Sequence, residues 1–266
     1  MRQRYIINKE RALTVEELQR AIPAAFVSEP WVKIASPTYQ HIQTSEILIA
    51  LATVGYTPHS ARQVGCRSTS VGKEFHTKHL ITLKQDHSAK LSPVLYVLNS
   101  SDRSSSWQMG VGLFRAECLN FLLYSLAENF VSYRHRHVMK TTAQIIIEQA
   151  LQLSAQFPAL LQTVERFKAI QLSVTERLQF AEEALKLRYS KVDTMPYGPD
   201  RLLALRRYED KGCSLFSTLN VVQENLLQSS RARWHGEKTS RAVGLTKSME
   251  LNKGVWQLAE DFALAR

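Results

Sequence analysis

The side chains best suited to chemistry in this sequence are cations, and the chemistry they suit is neutralisation of phosphate. Arg62, Arg67, Lys73, Lys78, Lys84 and Lys90 stand together, with only Glu74 and Asp86 among them. On a strand running over 74–85, Lys78 and Lys84 share one side with His76, Leu80 and Thr82. Such a face follows a phosphate backbone, and each charge it neutralises adds to the salt dependence of binding. The same lysines also suit an edge strand guarded against aggregation. A second cluster, Arg134-His135-Arg136-His137 with Lys140, offers guanidinium groups around an imidazole, with Tyr133 or His135 to stack on a base. Its plainer alternative is a solvated turn. The third cluster, Arg231, Arg233, Trp234, Lys238 and Arg241, interleaves arginine with an indole, a composition that suits single strands. There Trp234 serves equally to plug the core. Arg103, in a serine-rich loop, joins the set of expected phosphate contacts.

Covalent chemistry has less to stand on. Asp102 or Ser100 with His135, or a hydrolase built on Asp102, Glu117 and His135, requires proximity across distant segments. The sequence contains no phosphate-binding glycine loop, no H-E-x-x-H helix and no G-x-S-x-G turn. His135 and His137 lack a cysteine or carboxylate at ligand spacing, and Cys66, Cys118 and Cys213 are far apart, so neither metal nor disulfide framework is expected. The expectation is a binding protein without cofactor or metal, not an enzyme.

The whole chain agrees with a polyanion partner. Its 266 residues carry 34 Lys plus Arg against 24 Asp plus Glu, a net charge of +10. A basic surface attracts nucleic acid first, although the charge also serves solubility. With 44% hydrophobic and 22% charged residues the composition is that of a globular protein, which excludes wholesale disorder. No stretch of about 18 apolar residues occurs, and Met1-Arg-Gln-Arg lacks an apolar leader core. A cytoplasmic location with no membrane partner is therefore expected.

The elements that must position these cations read as α+β. Thr14-Val-Glu-Glu17 is a capping box opening a short helix that Pro23 ends, and an arm around Trp31 follows. That arm folds back on its own domain or reaches a neighbour. Ile47, Leu48, Leu51 and Val54 line a helix over 38–54, stopped by Gly55. Strands over 60–68, 74–85 and 91–98 then make a three-stranded antiparallel meander. After the polar loop 99–106, Met109, Leu113, Phe114, Phe121 and Tyr124 fall at helical spacing, which predicts a helix from Trp107. The C-terminal half is mainly helical, with segments at 143–157, 158–170, 201–208, 215–229 and 245–265 and a capping box at Ser173-Val-Thr-Glu176. The expected division is an N-terminal helix and arm (1–35), an α+β core (36–140) and a helical region (141–266), with a linker near 193–200.

Asn99-Ser100, Asp102, the run Arg115-Ala-Glu-Cys-Leu-Asn120, Arg134-His135 and the later Thr218-Leu-Asn-Val-Val-Gln-Glu224 resemble the motifs of an uncharacterised family described as phage/plasmid-like proteins. The resemblance spans roughly 37–262. The chain departs from the pattern at Ser101, where histidine is common, and at Arg103 and Phe121, where glycine is common. The resemblance implies a mobile-element origin and no settled chemistry. Separately, the order helix, meander, helix is similar to the core of single-strand annealing recombination proteins, an analogy of topology without a shared motif.

Together these point to a nucleic-acid-binding protein of phage or plasmid origin, a homo-oligomer that binds or anneals single-stranded DNA through a basic groove. The alternative is a mobile-element factor that binds a host defence or repair complex through the Trp31 arm and the C-terminal helices.

Overall fold

The structure, a computed structural model, describes residues 4–7, 11–31, 40–66, 72–85, 91–115, 122–123, 133–135, 142–189, 197–228 and 243–266. Two compact units emerge: residues 1–116 with 128–157, and residues 117–127 with 158–266.

The first unit is an antiparallel sheet with helices. Strands β1 (Arg4–Ile7), β2 (Thr57–Gln63), β3 (His79–Lys84), β4 (Leu91–Asn99) and β5 (Trp107–Arg115) lie side by side in chain order, and β2 to β5 form one continuous meander. The strand β7 (Tyr133–His135) pairs with the first residues of β5, Trp107 opposite His135. The sheet thus extends beyond the expected three-stranded meander, with β1 to β5 in sequence order and β7 added beside β5. Helices α1 (Val15–Ala21), α2 (Thr44–Thr53) and α3 (Ala143–Ser154) belong to this unit. The helices α2 and α3 pack on each other, α2 also on β2 and α3 on β4 and β5. Tyr56 Oη and Ser154 Oγ meet at 2.5 Å, tying the end of α2 to the end of α3.

The segment from Trp107 is a strand, which corrects the expected helix. Trp107, Met109, Val111 and Leu113 alternate along it and are fully buried, with Gly110 and Gly112 between them. Met109 and Leu113 lie four residues apart, which satisfies a strand of period two as well as a helix. Each glycine costs a helix interior about 1 kcal/mol, so the pair tips the balance to strand. The structure also decides the course of the expected arm: Pro23 to Ala25 make a short 3-10 turn, and Trp31 N–H donates to Ser101 O at 3.0 Å. Residues 11–31 therefore fold back on their own unit.

Helix ends are set locally. Thr14 and Ser173 both close reciprocal capping boxes, with Glu17 and Glu176. Gly55, at φ +84°, takes the left-handed position just past α2, which begins at Thr44.

The second unit contains β6 (Leu122–Leu123), α4 (Phe157–Ala169), α5 (Val174–Arg188), α6 (Leu215–Gln228) and α7 (Leu245–Leu264). The expected helix over 201–208 is instead a pair of 3-10 turns, Pro199–Leu203 and Tyr208–Asp210. From Leu215 to Leu227 every α6 side chain except that of Ser217 is buried, so α6 is the core helix of this unit. Several of its polar residues are paired inside, whereas Thr218 Oγ1 and Asn220 Oδ1 are buried without a hydrogen-bond partner among the described residues. Glu224 holds Arg207 through both carboxylate oxygens (2.8 to 3.2 Å), Asn225 caps the carbonyls of Leu202 and Ala204, and Gln223 reaches Asn252. Buried polar groups of this kind are expensive unless partnered, which explains a polar motif in an enclosed helix. No helix among the described residues is long and apolar enough to cross a membrane.

Candidate functional site

One end of the sheet gathers the chemistry. There β2 finishes at Gln63, β3 starts at His79, β4 finishes at Asn99 and β5 starts at Trp107. The 3-10 turn Lys73–Phe75, the loop 100–106 and the segment ending at Trp31 close over it.

The floor is a hydrogen-bond relay. His79, fully buried, has Nδ1 3.2 Å from the Thr77 carbonyl, an obligate acceptor, so Nδ1 carries the proton. Its Nε2 is then the acceptor and takes the Thr44 hydroxyl proton at 2.8 Å. Thr44 Oγ1 in turn accepts from Asn99 Nδ2 at 3.0 Å, and the same amide donates to Ile42 O at 2.7 Å. Three elements, α2, β3 and β4, are thus joined by groups that water does not reach. Burial, its largest cause, brings the His79 pKa down to about 4; the Thr77 hydrogen bond and Asp102 oppose this, and His41 reinforces it.

The walls are stitched by backbone and amide contacts. Gln63 accepts from Ala24 N at 3.1 Å and donates to Glu74 O at 2.6 Å. Ser101 N–H donates to His76 O at 3.0 Å, and the Trp31 and His76 rings lie 5.3 Å apart. In the loop, Ser100 Oγ takes Ser105 N–H at 2.9 Å and Asp102 takes Ser104 N–H at 3.0 Å. Asn99 and Asp102 therefore hold the loop in shape, as hydrogen-bonding loop residues do. Arg103, at φ +63°, is the non-glycine residue with a positive φ in the described chain. Glycine adopts that conformation without the Cβ clash, which gives a physical reason for the glycine that the motif carries there.

Several expected contacts converge on this end. Arg62 lies one residue from the end of β2, opposite Tyr5, and Arg4 is opposite Gln63. Lys73 and Lys78 flank the turn that leads into β3, Arg103 is exposed in the loop, and the backbone of Arg134 is opposite Gln108, next to the start of β5. Burial lowers the pKa of Arg62, against the influence of Tyr5. It also lowers those of Lys78 and His76, in each case opposed by Asp102. Among the described residues, Glu74 in the turn and Asp102 in the loop are carboxylates of the same region, and Glu29 stands two residues before Trp31.

Lys84 does not belong to it. It lies at the opposite end of β3, 1% exposed, with Nζ 3.9 Å from the centre of the Phe114 ring. All six β3 side chains are buried, so the expected open lysine face on this strand does not exist. Arg67, Arg136, Arg231, Arg233 and Trp234 lie outside the described residues, as do Lys90, Lys140, Glu117 and the first part of the expected linker. No group of three or more metal-ligating side chains occurs among the described residues. Sequence reading missed Thr44 and Arg4, because only strand register and helix packing bring them to the loop end.

No solved structure gives a significant match. Two Escherichia coli (strain K12) proteins are similar along nearly the whole chain: UPF0380 protein YafZ, 33% identical over 261 residues (96% of this chain and 93% of that protein), and UPF0380 protein YfjQ, 32% identical over the same length and shares. A family model described as a domain of unknown function, DUF932, matches residues 32–256, and with those relatives it establishes that this chain belongs to the DUF932 family.

Proposed function

We propose that the protein binds single-stranded nucleic acid at the loop end of its sheet, through phosphate contacts and without covalent chemistry. The observation that carries this reading is the placement of Arg4, Arg62, Lys73, Lys78, Arg103 and Arg134 at one end, with Lys84 and Arg115 at the other. A nine-residue strand such as β4 separates the two ends by about 30 Å. That exceeds the Debye length of about 8 Å at physiological salt, so the cations at the loop end act as a separate group. The cations outnumber the local carboxylates, and a chain with a net charge of +10 attracts polyanions at long range. Strand β5 stands where the analogy to single-strand annealing recombination proteins places a helix, so binding by an oligomer is proposed only because a few weak phosphate contacts gain from repetition along a strand.

Fluorescence anisotropy of a labelled oligonucleotide tests this. Affinity is expected to fall steeply between about 50 and 200 mM salt, tenfold or more for a few phosphate contacts. Absence of binding at about 50 mM salt, where such contacts are strongest, would reject the reading and leave a protein partner as the function to pursue.

A further inference from the structure

Phe75, 43% exposed, lies at the loop end on the turn that also carries Lys73. Isolated exposed apolar side chains are ordinary, and this chain has others, so exposure alone means little. The surroundings distinguish this one. Two other aromatic side chains are exposed among the described residues: Tyr208 has Lys211 over its own ring at 5.6 Å, and Tyr5, 40% exposed, lies on β1 opposite Arg62. Phe75 instead sits in a hydrogen-bonded turn. The left-handed Gly72 begins the turn, Gln63 holds Glu74 O, and the Thr77 hydroxyl donates to Val64 O at 2.8 Å. Next to it the Trp31 and His76 rings are already in contact, 5.3 Å apart. An exposed ring on a hydrogen-bonded turn among cations offers what an unpaired base needs: a flat apolar platform with phosphate contacts nearby. A duplex keeps its base faces stacked internally and offers such a ring nothing.

We infer that Phe75 is a stacking platform for an unpaired base, so that the site takes single strands in preference to duplex. This rests on the reading that the loop end binds nucleic acid. Every base has a π face, so the platform is indifferent to sequence; Lys73, Lys78 and Arg103 hold the adjoining phosphates.

The test uses the full chain with three labelled probes of equal length: oligo-dT, an abasic strand of the same backbone, and a duplex. Wild-type protein is expected to bind oligo-dT more tightly than the abasic strand or the duplex. Phe75→Ala should weaken oligo-dT binding roughly five- to a hundredfold, the range of one base–aromatic stack, and leave the abasic strand unchanged. Phe75→Tyr should restore oligo-dT binding. Circular dichroism of Phe75→Ala should match wild type, because the ring is exposed. Wild-type affinity for oligo-dT in Phe75→Ala, or equal losses on oligo-dT and the abasic strand, would overturn the platform while leaving phosphate binding in place. If the wild type binds none of the probes, both the platform and the reading beneath it fall.

Discussion

His79 shows how one side chain sets a pH limit on the fold. Its ordinary pKa is about 6.5 and its folded pKa about 4, chiefly through burial. Below pH 6.5 the unfolded chain takes up a proton that the folded chain refuses until about pH 4. Stability is therefore complete above about 6.5, declines as pH falls to about 4, and then levels off, a loss of up to about 3 kcal/mol from this group. Urea midpoints measured at about pH 7, 5.5 and 4.5 should show this slope, and His79→Gln should flatten it. An equal slope in wild type and His79→Gln would mean that other groups carry the acid sensitivity. Asn99 is recognisable in the sequence as a loop-holding residue, but its partners Ile42 O and Thr44 are not, since they come from a segment more than fifty residues earlier.

At the scale of elements, β3 separates two lysines that alternation places alike. Lys78 is half-buried at the mouth of the strand, whereas Lys84 is enclosed against Phe114. Reversing a buried charge leaves a carboxylate facing the negative face of an aromatic ring, without water. Lys84→Glu should cost more than about 3 kcal/mol, and Lys78→Glu less than about 1 kcal/mol. Chemical denaturation of the two variants measures this directly; similar losses would contradict the burial of Lys84. Helices are the more legible elements. The capping boxes at Thr14 and Ser173 work through bonds within three residues, so their motifs suffice. Strand β5 is less legible, because Met109, Leu113 and Phe114 also fit a helical stripe, while the deciding burial of Trp107 and Val111 depends on β4 beside them.

For the whole molecule, the question is whether the cationic excess works as one group. Removing Lys73 and Lys78 together should lower the slope of log affinity against log salt by about 1.4, at about 0.7 for each single-strand phosphate left without its lysine. Lys211→Ala with Lys253→Ala, in the other unit, should leave that slope unchanged. Equal effects from both pairs would show a diffuse charge in place of a site.

By itself the sequence determined that this is an α+β chain with a surplus of positive charge, where its helices are capped, and which loop is held by its own asparagine and aspartate. Those features depend on neighbours within a turn or on composition. Only the tertiary structure decided that Lys84 is enclosed, that Trp107 opens a strand, and that Arg4, Arg62, Arg103 and Arg134 share one end of a sheet. Each of those rests on hydrogen-bonded register between segments far apart in the chain, and no local pattern encodes which strand lies beside which.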